Sequence, residues 1–164
     1  MSEDSPTRFI FTLHEIPQYL GVTFIGDWMS VTADKILEFD SSTYVVDDDY
    51  GTSLEDYPDG MLEGLHTLGL IPQLVDSGFR MEDQDAYALV YGFDKVRYVS
   101  RVFVGERMRV RGVVREVRPR NHGYVTLLDC TVEVEGRDKP AYVAEFLVQW
   151  LPTERALAEQ GITS

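Results

Sequence analysis

The second half of the chain carries a period of two. Segments 87–98, 107–118, 124–135 and 141–151 are rich in Val, Tyr, Leu and Phe, and turn signals at Gly105, 119–123 and 136–140 separate them, which predicts four strands. In the second segment Met108, Val110, Gly112 and Val114 alternate with Arg109, Arg111, Val113 and Arg115, so one face is apolar and the other largely basic. In the fourth, Tyr142, Ala144, Phe146, Val148 and Trp150 mark one face, while Val143 and Leu147 make the other partly apolar. That strand is expected to be covered on both sides.

The first half is less regular. Residues 8–20 are mixed apolar and fit a strand or a short helix. Ser30 or Thr32 reads as the N-cap of a short amphipathic helix over about 34–39 that buries Ile36, Leu37 and Phe39. Residues 40–60 have no clean period and contain Gly51, Pro58 and Gly60, so they read as a long loop, a kind of segment that is often functional. Beyond it, Met61, Leu62, Leu65, Leu68, Leu70, Ile71, Leu74 and Val75 lie nearly all round a helix, which predicts burial on most sides. Asp59 stands at its expected N-terminus, Pro72 should bend its last part and Gly78 should end it. Residues 152–160 fit a final short helix capped by Thr153. One buried helix followed by an antiparallel meander is an α+β pattern in which the sheet wraps the helix.

Composition narrows the function classes. A chain of 164 residues with 44% hydrophobic side chains fits one domain with its own core. The net charge of −13 argues against a nucleic-acid partner, because the average field repels a phosphate backbone. No apolar run reaches the roughly 18 residues that span a bilayer, so no membrane partner is expected. The single cysteine, Cys130, cannot form an internal disulfide and suits a cytoplasmic location. The charge is uneven: Asp47, Asp48, Asp49, Glu55, Asp56 and Asp59 follow one another without a base, whereas residues 95–120 hold nine of the fifteen basic side chains against Glu106 and Glu116.

Four segments in order carry a family resemblance: GDWMSVTADKILEF ahead of the loop, DGMLEGLHTLGL as the helix, YGFDKVRYVSRVFVGERMRVRG through the following strands, and VEVEGRDKPAYVAEFLVQWL at the end. Over roughly 21–151 the chain resembles the MaoC-like hydratase/dehydratase family of the hot-dog fold, and its NodN-like branch. The resemblance implies a single hot-dog domain, a homodimer with a continuous sheet, and an acyl or polyketide thioester as substrate. Coenzyme A or an acyl carrier protein would carry that thioester on a phosphopantetheine arm, with no separate cofactor. In the family, an Asp and a His just after the first helix hold and activate water, and a backbone N–H at the start of the central helix polarises the thioester oxygen.

The resemblance also locates the departures. Laid on the family's first helix without gaps, the chain has Val45 at the Asp position, Tyr50 at the His position, and Asp47 and Asp48 in place of Asn-Pro. A valine moves no proton. Gly60 and Met61 match the Gly-Met of the family's helix start and are the expected oxyanion and substrate-binding residues, with Asp59 where a His often precedes. Candidate catalytic residues are therefore Tyr50, Asp47, Asp48, Asp59 and His66, in a dehydratase-type lyase, an isomerase or a cyclase. A non-catalytic acyl-binding or scaffold domain is an alternative, as is a subunit completed by a partner. A thioesterase using Asp59 near the helix start is another.

Each candidate has a plainer reading. Tyr50 fits a loop tyrosine with a solvated hydroxyl, and Asp47 and Asp48 fit a solvated acidic turn whose spacing is not that of a calcium loop, so no metal is assigned. Asp59 fits a first-turn residue, His66 a packed histidine, and Cys130 a small core residue. Lys95, Arg97, Arg101, Arg109 and Arg111 are suitable donors to a phosphopantetheine phosphate or a carrier surface. They serve equally as partners of the chain's own carboxylates.

Overall fold

The computed structural model describes residues 5–43 and 58–162. The four period-two segments form strands β5 (Ala86–Tyr98), β6 (Arg107–Arg120), β7 (Gly123–Val134) and β8 (Tyr142–Pro152). Ahead of them lie β1 (Phe9–Phe11), β2 (Thr23–Ile25), β3 (Met29–Ser30) and β4 (Phe79–Met81). A 3₁₀ helix over Leu13–Tyr19 follows β1, so the 8–20 stretch holds both a strand and a helix.

The main sheet has six strands in the order β2-β6-β7-β8-β5, with β3 also on β6, and all its pairs are antiparallel. A simple meander would pair β5 with β6. Instead β5 pairs with β8 and forms the edge, and the chain crosses from that edge to β6 through residues 99–106. This crossing sets where the central helix begins. The Leu62 N–H donates to the Val102 carbonyl at 2.8 Å and the Val104 N–H to the Gly60 carbonyl at 2.7 Å. Met61 and Phe103 form a bridge between them.

Met61 therefore lies in a bridge and not in a helix, and Gly60 before it turns the chain with a φ of 70°, a left-handed value that glycine adopts without penalty. The helix expected from Gly60 and Met61 starts four residues later. It comprises α2 (Gly64–Gly69) and α3 (Ile71–Asp76). The break at Leu70 precedes Pro72, whose ring has no N–H to donate and crowds the carbonyl four residues back. Burial is also less complete than expected: His66, Thr67, Ile71, Leu74 and Val75 face inward, but Leu65 is 69% exposed.

The helix lies on the face of the sheet that carries Met108, Val110, Val114, Leu128, Cys130, Tyr142 and Phe146, all in one core cluster. At the far end Phe11, Phe24, Phe79 and Trp150 stack edge and face, and the Trp150 indole N–H donates to the Thr126 hydroxyl at 2.9 Å. Leu147 is buried on the other side of β8, which agrees with the two-sided cover read from its sequence. Helix α1 (Ala33–Thr43) is longer than expected and rests on the body by half-buried Ile36, packed on the core, and half-buried Phe39, stacked on His66. Leu37, expected inside, is 67% exposed because it points away from that contact. A last helix, α4 (Glu154–Glu159), is capped by the Thr153 hydroxyl, which accepts from the Ala156 N–H at 3.2 Å. No helix among the described residues is long and apolar enough to cross a membrane.

Candidate active site

A cleft of about 330 Å³ opens at the first turn of α2, between that turn, the end of β5 and the start of β8. Met61, Leu62, Gly64, Thr67, Tyr98 and Arg101 are among its walls. Two tyrosines tie the helix to the sheet here. The Tyr98 hydroxyl donates to the Gly64 carbonyl at 2.7 Å, and the Tyr142 hydroxyl to the Thr67 carbonyl at 2.8 Å. Burial pushes both phenols above the ordinary tyrosine range, so both stay protonated donors. The Tyr98 ring lies so close to Gly64 that a Cβ there would stand 2.8 Å from its Cζ. At the head of α2, Glu63 occupies the N-cap but makes no side-chain capping bond. The first N–H groups of a helix have no intrahelical acceptor, so this end is rich in backbone donors.

The other side of the same turn faces α1. There the Phe39 ring stacks on His66 at 4.4 Å and 7°, and the histidine is 7% exposed. His66 Nδ1 is buried without a hydrogen-bond partner among the described groups, and so is Asp40 Oδ1, one residue after Phe39. Burial lowers the histidine pKa from its ordinary value, with Asp40 pulling it the opposite way. Burial raises the Glu63 carboxyl, and the charge of Asp40 adds to that. Asp40, Glu63 and His66 thus form one electrostatic cluster at the head of α2.

The structure sorts the residues expected from sequence. Tyr50, Asp47 and Asp48 lie outside the described residues. Asp59 is exposed in the turn before the bridge, five residues before the helix start at Gly64, and the acid at the helix head is Glu63, at the N-cap. Gly60 and Met61 do not form the helix end: the Gly60 carbonyl is paired with Val104 and the Met61 N–H donates to the Pro58 carbonyl at 3.0 Å. Met61 still contributes a wall of the cleft. His66 is packed as the plainer reading expects, but its Nδ1 lacks the carbonyl partner that reading supplies.

The basic residues separate into three places. Arg101 is at the cleft. Lys95 and Arg97 are exposed on the edge strand β5, where Lys95 pairs with Glu145. Arg109 and Arg111 lie on the sheet face away from α2, in a separate depression of about 550 Å³ with Trp28. Both bind Glu133, at 2.7 and 3.0 Å, and Arg109 stacks on Trp28 with its Cζ 4.4 Å from the ring centroid. Burial by itself would raise the Glu133 pKa, but hydrogen bonds and charge from the two arginines outweigh it and hold the carboxyl below the usual range. Arg107 likewise reaches Glu135, just past the end of β7, and Arg115 reaches Asp129 of β7, so acidic side chains on and next to β7 balance the basic face of β6. Among the described residues no cluster of His, Cys, Asp and Glu could hold a metal ion.

No family model matches the chain. Curated relatives do. It is 30% identical over 131 residues to 3-hydroxyacyl-thioester dehydratase Z of Mycobacterium tuberculosis, covering 77% of this chain and 86% of that protein. The chain belongs to the MaoC-like hot-dog dehydratase family. Nodulation protein N of Rhizobium meliloti, 28% identical over 139 residues, covers 80% of this MaoC-like chain and 86% of its own. Among solved structures, the R-hydratase PhaJ1 of Pseudomonas aeruginosa superposes with a TM-score of 0.59 at 14% identity, over 82% of this chain and 83% of that one. The hot-dog fold of the family is the fold seen here: an antiparallel sheet laid around a central helix.

Proposed function

We propose that this MaoC-like protein is an acyl-thioester dehydratase or hydratase, a lyase that removes water from a 3-hydroxyacyl thioester or adds it to the 2-enoyl form. The observation that carries this reading is the cleft at the first turn of α2, in a chain with 30% identity to a 3-hydroxyacyl-thioester dehydratase. The thioester oxygen would accept from backbone N–H groups of that turn, at Gly64 and Leu65 rather than at Gly60 and Met61. Such preorganised donors stabilise the enolate that develops when a C2 proton leaves. The pantetheine arm would run past Tyr98 toward Arg101, which lines the cleft and would hold a phosphate through its guanidinium. Met61, Leu62 and Val99 give the cleft apolar surface for the acyl part, which suits a fatty or polyketide chain on coenzyme A or a carrier protein.

The acting unit would be a homodimer in the cytoplasm. The edge strand β5 is hydrogen-bonded on one side only among the described residues, and Tyr87, Leu89, Val90 and Tyr91 are exposed along it. Proteins cover such long apolar edges, and a second copy paired edge to edge would continue the sheet. One further observation favours a thioesterase as second reading: Glu63 places an uncapped carboxyl at the helix head.

Purified protein is incubated with 3-hydroxyacyl and 2-enoyl thioesters of several lengths, on coenzyme A and on a carrier protein. Enoyl absorbance and the mass change of one water are followed. Interconversion of the two forms is expected. Release of free thiol without that interconversion would turn the assignment to a thioesterase, and ligand-dependent stabilisation without any turnover would turn it to a binding module.

A further inference from the structure

We propose that His66 is the proton-transfer group of this site, with Asp40 as its acidic neighbour. The inference rests on the dehydratase reading above and names the residues that would perform it. Val45 stands where the family places its acid, so that position cannot move a proton. The described structure brings another acid and another histidine together at the head of α2, from segments 26 residues apart in sequence.

Three features set this pair apart from ordinary packing. The parallel Phe39 ring at 4.4 Å fixes the plane of the imidazole. Both His66 Nδ1 and Asp40 Oδ1 are buried and lack hydrogen-bond partners among the described groups, whereas buried polar atoms are nearly always bonded. One group can meet both needs. With the imidazole neutral at Nδ1 both atoms accept, and a water can donate a proton to each; once Nδ1 carries a proton, a hydroxyl that donates to Asp40 Oδ1 accepts from it. The 3-hydroxyl of the substrate, or the water that replaces it in hydration, has this chemistry. Gly64 at the cleft and His66 are two residues apart, about 3 Å along the helix axis but on opposite sides of it. Helical side chains tilt back toward the N-terminus, so an acyl group passing over the head of α2 from the Gly64 side would present C2 and C3 to the histidine.

In dehydration, neutral His66 Nδ1 takes a proton from C2, and that electron pair becomes the C2–C3 double bond. The C3–O bond breaks, and the imidazolium returns its proton to the departing hydroxyl, giving water and regenerating neutral His66. Asp40 accepts the hydroxyl proton's hydrogen bond throughout and stabilises the transient imidazolium by its charge. Among the described residues the charged group that acts on His66 is Asp40 on α1, and Asp40 in turn acts on Glu63 at the head of α2. Burial holds the imidazole neutral at physiological pH, the state a base requires.

The test compares His66→Gln, Asp40→Asn and, as a surface control, His122→Gln, using whichever thioester the wild type converts. His66→Gln is expected to lower kcat at least 100-fold while a saturated acyl-coenzyme A binds with wild-type affinity. Asp40→Asn should lower kcat and move the acid limb of the kcat/KM profile to lower pH, because the charge that favours imidazolium is gone. A structural role alone would leave that limb in place. His66→Gln within threefold of wild type, or an acid limb unmoved by Asp40→Asn, overturns the proposal while leaving the dehydratase reading intact. No turnover by the wild type overturns that reading instead. If His66→Gln fails to fold by circular dichroism, the Asp40→Asn profile decides alone.

Discussion

Gly64→Ala tests whether the cleft at α2 is where the thioester binds. An added Cβ would lie 2.8 Å from Tyr98 Cζ and 3.1 Å from both Cε atoms, so something must move. The ring is the part that can, since Tyr98 sits at the end of an edge strand and is 50% exposed. Swinging it out breaks the 2.7 Å hydrogen bond to the Gly64 carbonyl, which costs about 0.5–1.5 kcal/mol. Alanine in place of glycine returns up to about 1 kcal/mol through helix propensity. Stability should therefore stay within about 1 kcal/mol of wild type, a change of roughly 2–4 °C in Tm for a domain of this size. Binding should not be spared, because the displaced ring is a wall of the cleft. Affinity for a saturated acyl-coenzyme A, measured by calorimetry, should weaken at least tenfold, about 1.4 kcal/mol. Tyr98→Phe separates the two effects: it loses the hydrogen bond, keeps the ring in place, and should bind nearly as wild type. Wild-type affinity in Gly64→Ala would refute the placement of the thioester. A stability loss beyond about 3 kcal/mol would refute the view that the ring, rather than the helix, gives way.

Glu63→Gln should stabilise the protein at pH 7–8 and lose that advantage near pH 4, measured by denaturant titration. The folded-state pKa is raised above 4.5, so the contribution of this carboxyl is full below its unfolded value and is lost as pH rises through the folded one. Glu133→Gln should cost about 1.5–3 kcal/mol at neutral pH, since it weakens charged hydrogen bonds to buried Arg109 and to Arg111, and should cost less as pH falls through the lowered Glu133 pKa. Cys130 is fully buried and burial pushes its thiol far up, so maleimide should label it only after denaturation. Val90→Lys, on the exposed edge of β5, should shift the protein to monomers in analytical ultracentrifugation while leaving its circular dichroism unchanged.

The sheet was legible because its signal is local. Alternation in β6, β7 and β8 survives in the structure over most of their length, up to the register shift after Val114 in β6: Val110, Val114, Leu128, Cys130, Ala144 and Phe146 all face the core. The order of strands was not legible in the same way. Nothing within β5 says that its partner is β8 rather than β6, since the choice is made by the crossing at 99–106 and its hydrogen bonds to 60–62. Leu37 shows the complementary limit. Its spacing fits an apolar face, but α1 meets the body on the side of Ile36 and Phe39, and Leu37 on the other side points to water.

The start of the central helix was misplaced by the same kind of nonlocal contact. Asp59 and Gly60 before an apolar run read as a helix start, because an acid and a glycine are both compatible with one. The string offers a second start at Glu63 and Gly64, and the structure selects it. Residues 60–62 have already given backbone groups to the crossing strand and cannot also begin a helix. That four-residue shift moves the expected backbone donors from Gly60 and Met61 to Gly64 and Leu65, and replaces Asp59 by Glu63 at the helix head. Asp40 had no local signal at all: at the end of a helical pattern it reads as a solvated acid. Its place in the site follows only from Phe39, whose stacking on His66 carries the next residue inward. In a fold where the chemistry lies between a helix head and a preceding segment, propensity can find the elements. The contact between their ends decides which polar groups meet.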